Sequence, residues 1–262
     1  MTTIHTFTGT PETVPVNAYV VEGEDGVVAI DGTLTVSGGR GLRALVEQIG
    51  KPLAGVLVTH AHPDHYGGLV ELGDVPIYAT AGVRDVIRRD DEIKEQILRP
   101  MFGDDWPRKR VFPNRAVADG DRLSLAGLDF TVLDLGPGES PHDSVWILGE
   151  SVFSGDQFYG HMHAYLADGF ADEWLTHFPV LRHALPVGAT LYPGHGAAAG
   201  LEMLDWQERY ITTFLDAVCD DDVVATMSAF LPTEQLKFLM QLSVEPVRSA
   251  RCAGRSSASS SP

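Results

Sequence analysis

The order of strand and helix signals predicts a mixed α/β (α+β) protein, with two layers of mostly antiparallel sheet and helices on the outside. Three observations carry that reading. Short apolar runs bounded by Gly, Pro, Asn and Asp recur along the chain, as strands and their turns do. Helical periodicity appears between them, but without the steady alternation of a barrel. No linker breaks the pattern, so residues 1–245 are expected to form one domain, with 246–262, which ends in RSSASSSP, as a disordered tail.

Each element follows from local pattern. Ala18–Val21 and Val27–Ile30 are apolar runs joined by a turn around Glu24, Asp25 and Gly26. Leu42, Leu45, Val46 and Ile49 fall at i, i+3, i+4 and i+7, one face of a helix that Gly50 ends. A buried strand, Gly55–Val58, runs into the polar stretch Thr59–His65, and sites in α/β proteins form at such strand ends. PIYAT reads as a strand and Val83–Leu98 as a helix, while the proline-rich Arg99–Arg115 reads as a long loop or lid. LSLAGLDFTVLDL turns at Ala126–Gly127, and SVWILGESVFSGD is a second strand pair. Phe170–Ala184 is helical, ATLYP is a strand, and Leu201–Val218 is an amphipathic helix with Ile211, Phe214, Leu215 and Val218 on one face. A last helix is expected to start near Thr233, and no sequence repeat recurs at a fixed period.

Composition narrows the class. The 262 residues carry a formal charge of −17, a field that repels phosphate backbones and speaks against a nucleic-acid partner. No apolar run approaches the roughly 20 residues of a membrane span, and the N-terminus lacks the pattern of a secretory signal. Two cysteines, Cys219 and Cys252, are too few for a disulfide framework, so a reducing, cytoplasmic setting is expected. A small-molecule substrate is the expected partner, and a homodimer is left open.

The densest chemical signal is THAHPDHYGG, which places His60, His62, Asp64 and His65 within six positions, just past a buried strand. Imidazole is the usual nitrogen ligand of zinc-like ions and carboxylate suits harder ones. Residues two apart on an extended segment point the same way, so His60 and His62 can hold one ion. Past Pro63 the chain turns, which lets Asp64 and His65 face a second. A polar surface loop that happens to be rich in histidine would explain one such pair; it does not explain three histidines and an aspartate together.

Further segments extend the pattern: IDG with Asp31, FSGD with Asp156 and YPGHG with His195. Together with His-x-His-x-Asp-His they resemble, in order and spacing, the metallo-β-lactamase-fold metallo-hydrolase superfamily, from about Asn17 to about Val218. The resemblance implies an αββα four-layer sandwich with the site at one edge of the two sheets. It implies two divalent metal ions, zinc first, with manganese or iron as alternatives. His60, His62, Asp64, His65, Asp156 and His195 would be ligands, Asp156 bridging the ions, and Asp31 would orient ligands from behind.

One position departs from the family. Its remaining ligand is normally a histidine inside Gly-x-Gly-His-Ser/Thr-Pro. Here Gly136-Pro137-Gly138 and Ser140-Pro141 match, but Glu139 stands in the histidine's place. Either Glu139 is the ligand or a rearranged loop brings His142 to the metal. Register favours Glu139, because Gly and Pro on both sides fix the backbone path. A carboxylate here adds a negative charge beside the ions, which weakens their Lewis acidity and tilts metal choice toward manganese or ferrous iron.

By resemblance the chemistry is hydrolysis of an ester, lactone or thioester of a small metabolite by hydroxide activated between two ions. Asp64 would move the proton. Tyr159, three residues beyond Asp156, would donate to the substrate carbonyl or pack at the rim. His161 and His163 are expected at the pocket. Zinc β-lactamases often carry a cysteine at the Asp156 position, which disfavours β-lactam hydrolysis, and Glu139 departs from the histidine of glyoxalase-II-type thioesterases. The alternatives are an iron-dependent sulfur dioxygenase and a non-catalytic metal-binding or sensor protein.

Overall fold

In the computed structural model, which describes residues 2–252, two sheets pack face to face with helices covering both outer surfaces. The first sheet is built from β1 (Ile4–Thr8), β2 (Asn17–Glu22), β3 (Val27–Ile30), β4 (Leu53–Leu57), β5 (Ile77–Thr80) and β6 (Arg115–Val117), hydrogen-bonded in that order. Helices α1 (Val36–Ile49) and α2 (Ala81–Phe102) lie between β3 and β4 and between β5 and β6. The second sheet contains β7 (Arg122–Leu125), β8 (Leu128–Gly136), β9 (Asp143–Leu148), β10 (Ser151–Gly160) and β11 (Thr190–Gly196). Its covering helices are α3 (Ala171–Ala184), α4 (Glu202–Ala217), α5 (Val223–Phe230) and α6 (Lys237–Cys252).

The period-two rule explains why both faces of the first sheet are buried. Ala18 and Val20 of β2 face the outer helices, where they join Leu42, Val46, Val83 and Ile87. Tyr19 and Val21 face inward and meet Phe130, Val132, Trp146 and Phe153 of the second sheet. A third cluster, around Trp174, Phe178, Tyr210 and Phe214, fixes the helices on the other side. The result is the expected four-layer αββα sandwich.

The expectation of mostly antiparallel sheets holds for the second sheet, where three of four pairs are antiparallel, and fails for the first, where three of five are parallel. The pairs β3–β4, β4–β5 and β5–β6 are parallel, as is β10–β11. Parallel neighbours need long crossovers, and helices α1 and α2 supply two of them. The β4-to-β5 crossover is short helical turns at Pro63–His65 and Gly67–Leu72, so it carries the histidine-rich motif. The glycines of that motif let it approach the sheet and α1 closely: a Cβ on Gly68 would lie 2.3 Å from the Gly32 carbonyl oxygen.

Four further differences concern element ends. Strands β1 and β6 carry too little pattern to be read in advance. Helix α2 continues through Pro100 to Phe102, so the expected loop starts later. The expected last helix is two, α5 and α6, with Thr233 between them. Helix α6 reaches Cys252, so 246–252 is helix rather than tail; the rest of the expected tail, 253–262, lies outside the described residues. Cys252 is joined to Cys219 by a disulfide with a Cα–Cα distance of 5.8 Å. Thirty-odd residues of chain separate the two, so their pairing was invisible in the sequence, and it removes cysteine count as an argument for a reducing compartment. Among the described residues no helix is long and apolar enough to cross a membrane.

Candidate metal centre

Five segments converge at one edge of the sandwich: the end of β3, the β4–β5 crossover, the β8–β9 loop, β10 and β11. Backbone and side-chain bonds lock the two sheets together there. The Ser144 N–H and hydroxyl both donate to the Thr59 carbonyl, at 2.8 and 2.6 Å. Trp146 Nε1 donates to the Val58 carbonyl, and Asn17 Nδ2 donates to the carbonyls of Pro193 and Gly196. The β8–β9 loop is thereby held against His60, and β11 against β2.

The predicted residues fall into two groups whose ligand atoms lie within 4.8 Å of one another: His60, His62, Glu139 and Asp156, and Asp64, His65, Asp156 and His195. Asp156 belongs to both. Its Oδ1 lies 3.3 Å from His65 Nε2, and its Oδ2 lies 3.2 Å from His195 Nε2 and 4.0 Å from His60 Nε2. Glu139 Oε2 lies 2.9 Å from His62 Nδ1 and 3.5 Å from His60 Nε2. Asp64 Oδ2 lies 3.2 Å from His195 Nε2.

The neighbours behind each imidazole fix its tautomer. Thr59 has one hydroxyl proton and gives it to Asp31 Oδ2 at 2.8 Å, so its oxygen accepts from His60 Nδ1–H at 3.0 Å. His65 Nδ1–H donates to Asp31 at 2.8 Å, His62 Nε2–H to Asp168 at 3.0 Å and His195 Nδ1–H to the Pro15 carbonyl at 3.2 Å. All four rings therefore turn a lone pair toward the cluster, the arrangement a cation requires. Asp31, at a left-handed φ of 63°, orients two of the four, one of them through Thr59.

A group of donors can be tested for a metal by what it leaves unpaired. His60 Nε2, His65 Nε2, Glu139 Oε2 and Asp156 Oδ1 are buried and have no hydrogen-bond partner. Leaving four such atoms unsatisfied costs about 1–3 kcal/mol each, and more for charged groups. Burial pushes the Glu139 carboxyl up to about 8; His62 opposes this, while Asp156 and Asp143 add to it. Divalent cations answer both problems, and a set of imidazoles and carboxylates without sulfur suits zinc, manganese or iron.

The loop turns the two candidates left open by the sequence in opposite directions. Asp143 accepts from Glu139 N–H at 2.7 Å, from Ser140 N–H and from the Ser140 hydroxyl at 2.6 Å. This turn aims Glu139 inward, where Tyr159 donates to its Oε1 at 2.8 Å. His142 is turned the other way, onto Asp134 at 2.6 Å, and joins neither group. Behind the loop, Gln157 Nε2 donates to Asp143 and its Oε1 receives His177 Nδ1 at 2.9 Å.

Tyr159 is buried, stacks on His195 and has its hydroxyl 2.9 Å from Asp156 as well as near Glu139, at the seam of the two groups. His161 and His163 do not reach the site, which corrects their expected place. β10 ends at Gly160, and His161, at φ 58°, turns the chain toward α4. His161 lies against Trp206, and His163 is buried on the Tyr210 hydroxyl at 2.9 Å. Sequence reasoning missed Asp168, Asp143 and His177 as supports. Asp168 is 106 positions from its partner His62, and no local spacing marks it. Asp143 did carry a signal, an Asp closing a Gly- and Ser-containing turn.

A cavity of about 290 Å³ opens onto the cluster, its floor formed by His62, Asp64, Glu139, Asp156, Tyr159 and His195.

Comparison with known proteins agrees with this architecture. The profile of the metallo-beta-lactamase superfamily matches residues 11–197. A hydroxyacylglutathione hydrolase of Methylobacillus flagellatus is 30% identical over 153 residues, covering 58% of this chain and 52% of that protein. The uncharacterized protein YobT of Bacillus subtilis is 46% identical over 67 residues, 26% of this chain and 28% of that one. The chain thus spans about half the length, or less, of these curated relatives. Among solved structures, a metallo-beta-lactamase from Pontibacter korlensis superposes with a TM-score of 0.66 at 18% identity, covering 80% of this chain and 94% of that one. The mono-zinc form of the metallo-beta-lactamase FIM-1 from Pseudomonas aeruginosa gives 0.63 at 20% identity, covering 80% and 91%. At these identities the superpositions speak for the fold alone.

Proposed function

The chain belongs to the metallo-beta-lactamase superfamily, and we propose that it is a two-metal hydrolase acting on an ester, lactone or thioester of a small molecule. The observation that carries the reading is the shared Asp156: two four-ligand groups meet at one carboxylate, and four of their buried ligand atoms lack any other partner. His60, His62, Glu139 and Asp156 would hold one ion, and Asp64, His65, Asp156 and His195 the other. Zinc is the first candidate, and the extra carboxylate favours manganese or iron as the alternatives. When bound, such ions supply Lewis acidity toward a carbonyl and acidify water near neutral pH.

The chain's own groups supply the rest. Asp64 is the most exposed of the three carboxylates, with its side chain 16% accessible on the cavity floor, so it can take the proton of the attacking water and return it to the leaving group. The Tyr159 hydroxyl has one proton and several acceptors, so a substrate carbonyl arriving at the seam competes for it with Glu139 and Asp156. The overall step breaks the acyl–oxygen or acyl–sulfur bond, forms an acyl–oxygen bond to water, and releases a carboxylic acid with an alcohol or thiol. The relatives named hydroxyacylglutathione hydrolase lend weight to a thioester.

The test is turnover of a panel of lactone, aryl ester, thioester and β-lactam by zinc-, manganese- and iron-loaded protein, with Asp64→Ala as control. Hydrolysis of an ester, lactone or thioester that Asp64→Ala abolishes is expected. Activity confined to β-lactams, or oxygen consumption with a persulfide in place of hydrolysis, would contradict the proposal.

A further inference from the structure

The floor of the cavity is polar, but its wall is not. Helix α2 contributes Ile97, Leu98, Met101 and Phe102, and α6 contributes Phe238 and Leu242, at helical i, i+4 spacings that bring one face of each helix to the cavity. Of the seven exposed large apolar side chains among the described residues, four (Ile97, Met101, Phe238 and Leu242) line this one cavity. Met101 is 67% exposed and Leu242 59%. Scattered apolar residues are normal on a protein surface, but a concentration around the mouth of a site marks what the site receives.

Charge on the wall points the same way. Among the described residues Lys94 is the only Lys or Arg lining the cavity, and the other titratable groups there are the floor carboxylates and imidazoles and two tyrosines. A glutathione leaving group carries two carboxylates and an ammonium, and one lysine complements that pattern poorly. From Lys94 to Phe102 the α2 wall extends about 12 Å along the helix axis, the scale of a medium-length alkyl chain.

We infer that the α2–α6 wall binds an aliphatic acyl chain, so that the substrate is an acyl ester, lactone or thioester whose chain lies on this wall while its carbonyl sits over the metal groups. Lys94 stands where it can meet a polar or anionic group carried by the same substrate. The inference rests on the hydrolase reading for its reaction, but not for its binding surface.

The test uses metal-loaded full-length protein with p-nitrophenyl esters and matching thioesters from butyryl to decanoyl, below their aggregation limits. Calorimetric titration with butanoate and dodecanoate gives a second readout. Each methylene buried from water can contribute up to about fourfold, so kcat/KM should rise at least about tenfold from butyryl to decanoyl, carried mainly by KM. Ile97→Asp and Leu242→Asp, both on exposed positions, should each reduce the slope of log kcat/KM against chain length by half or more. Dodecanoate should bind at least about tenfold tighter than butanoate, and less so in both variants. Turnover that ignores chain length, or a slope untouched by both substitutions, would overturn the inference and leave the hydrolase intact. No turnover of any member would overturn the hydrolase reading. The titration then decides alone, and dodecanoate binding no tighter than butanoate would overturn the acyl wall.

Discussion

The two ligand groups are alike in composition and unlike in support. Each holds two imidazoles, one carboxylate of its own and the shared Asp156. Glu139 creates that match, since a histidine in its place would leave the first group with three imidazoles. In the first group the private carboxylate is fully buried, fixed by the Asp143 turn and by Tyr159. In the second the private carboxylate, Asp64, lies on the cavity floor with its side chain 16% accessible, while the rings beside it are braced by Asp31 and by the Pro15 carbonyl. In the proposed two-metal site, equal donor sets would divide the labour by burial: Glu139 would stay in place and Asp64 would exchange a proton.

The strongest way to break the comparison is to remove what the groups share. Asp156→Ala should lose both ions and all turnover, measured by elemental analysis and the ester panel, whereas loss of one ion alone would show that Asp156 serves only one group. Glu139→His should restore three imidazoles to the first group, keep two ions and shift occupancy severalfold toward zinc over manganese when both metals are offered. Asp168→Asn should weaken metal affinity of the first group about 10–100-fold while leaving the second near its original affinity, because among the candidate ligands Asp168 braces His62 alone. Competition with a graded chelator resolves the two affinities.

The smallest effect concerns the support behind the Glu139 loop. Burial holds His177 down at about 4, against 6.5 for a free imidazole. Between those values the unfolded chain binds more protons than the folded one, so stability is complete above pH 6.5 and falls as pH drops toward 4. The expected loss is about 2–3 kcal/mol. Urea midpoints across this window should show it, and His177→Gln should flatten that part of the profile.

How much of this was legible beforehand follows from the range over which each signal acts. His60, His62, Asp64 and His65 sit in one run of sequence, and their convergence follows from strand and turn geometry. Asp156 and His195 were legible through short motifs in a characteristic order, the two sheet layers through the order of strand and helix signals, and the αββα arrangement through the family resemblance those motifs carry. Asp168, the His177–Gln157–Asp143 chain and the Cys219–Cys252 pair were not legible, because each depends on contacts between distant segments that leave no local pattern. His161 and His163 were misplaced for a related reason. Nothing in HMHAYLADG announces that His161 takes a left-handed φ and turns the chain out of the site. The apolar wall needed α2 and α6 brought together, and two of its residues, Met101 and Phe102, lie in a segment that reads as a loop from its prolines.

The account stands on Glu139 as the first group's own carboxylate. Elemental analysis of purified wild type, Glu139→Ala and His142→Ala, each equilibrated with the same metal, tests this most directly. Two ions per chain in wild type and His142→Ala, with about one in Glu139→Ala, is the predicted result. Loss of metal from His142→Ala, with Glu139→Ala fully loaded, would contradict it.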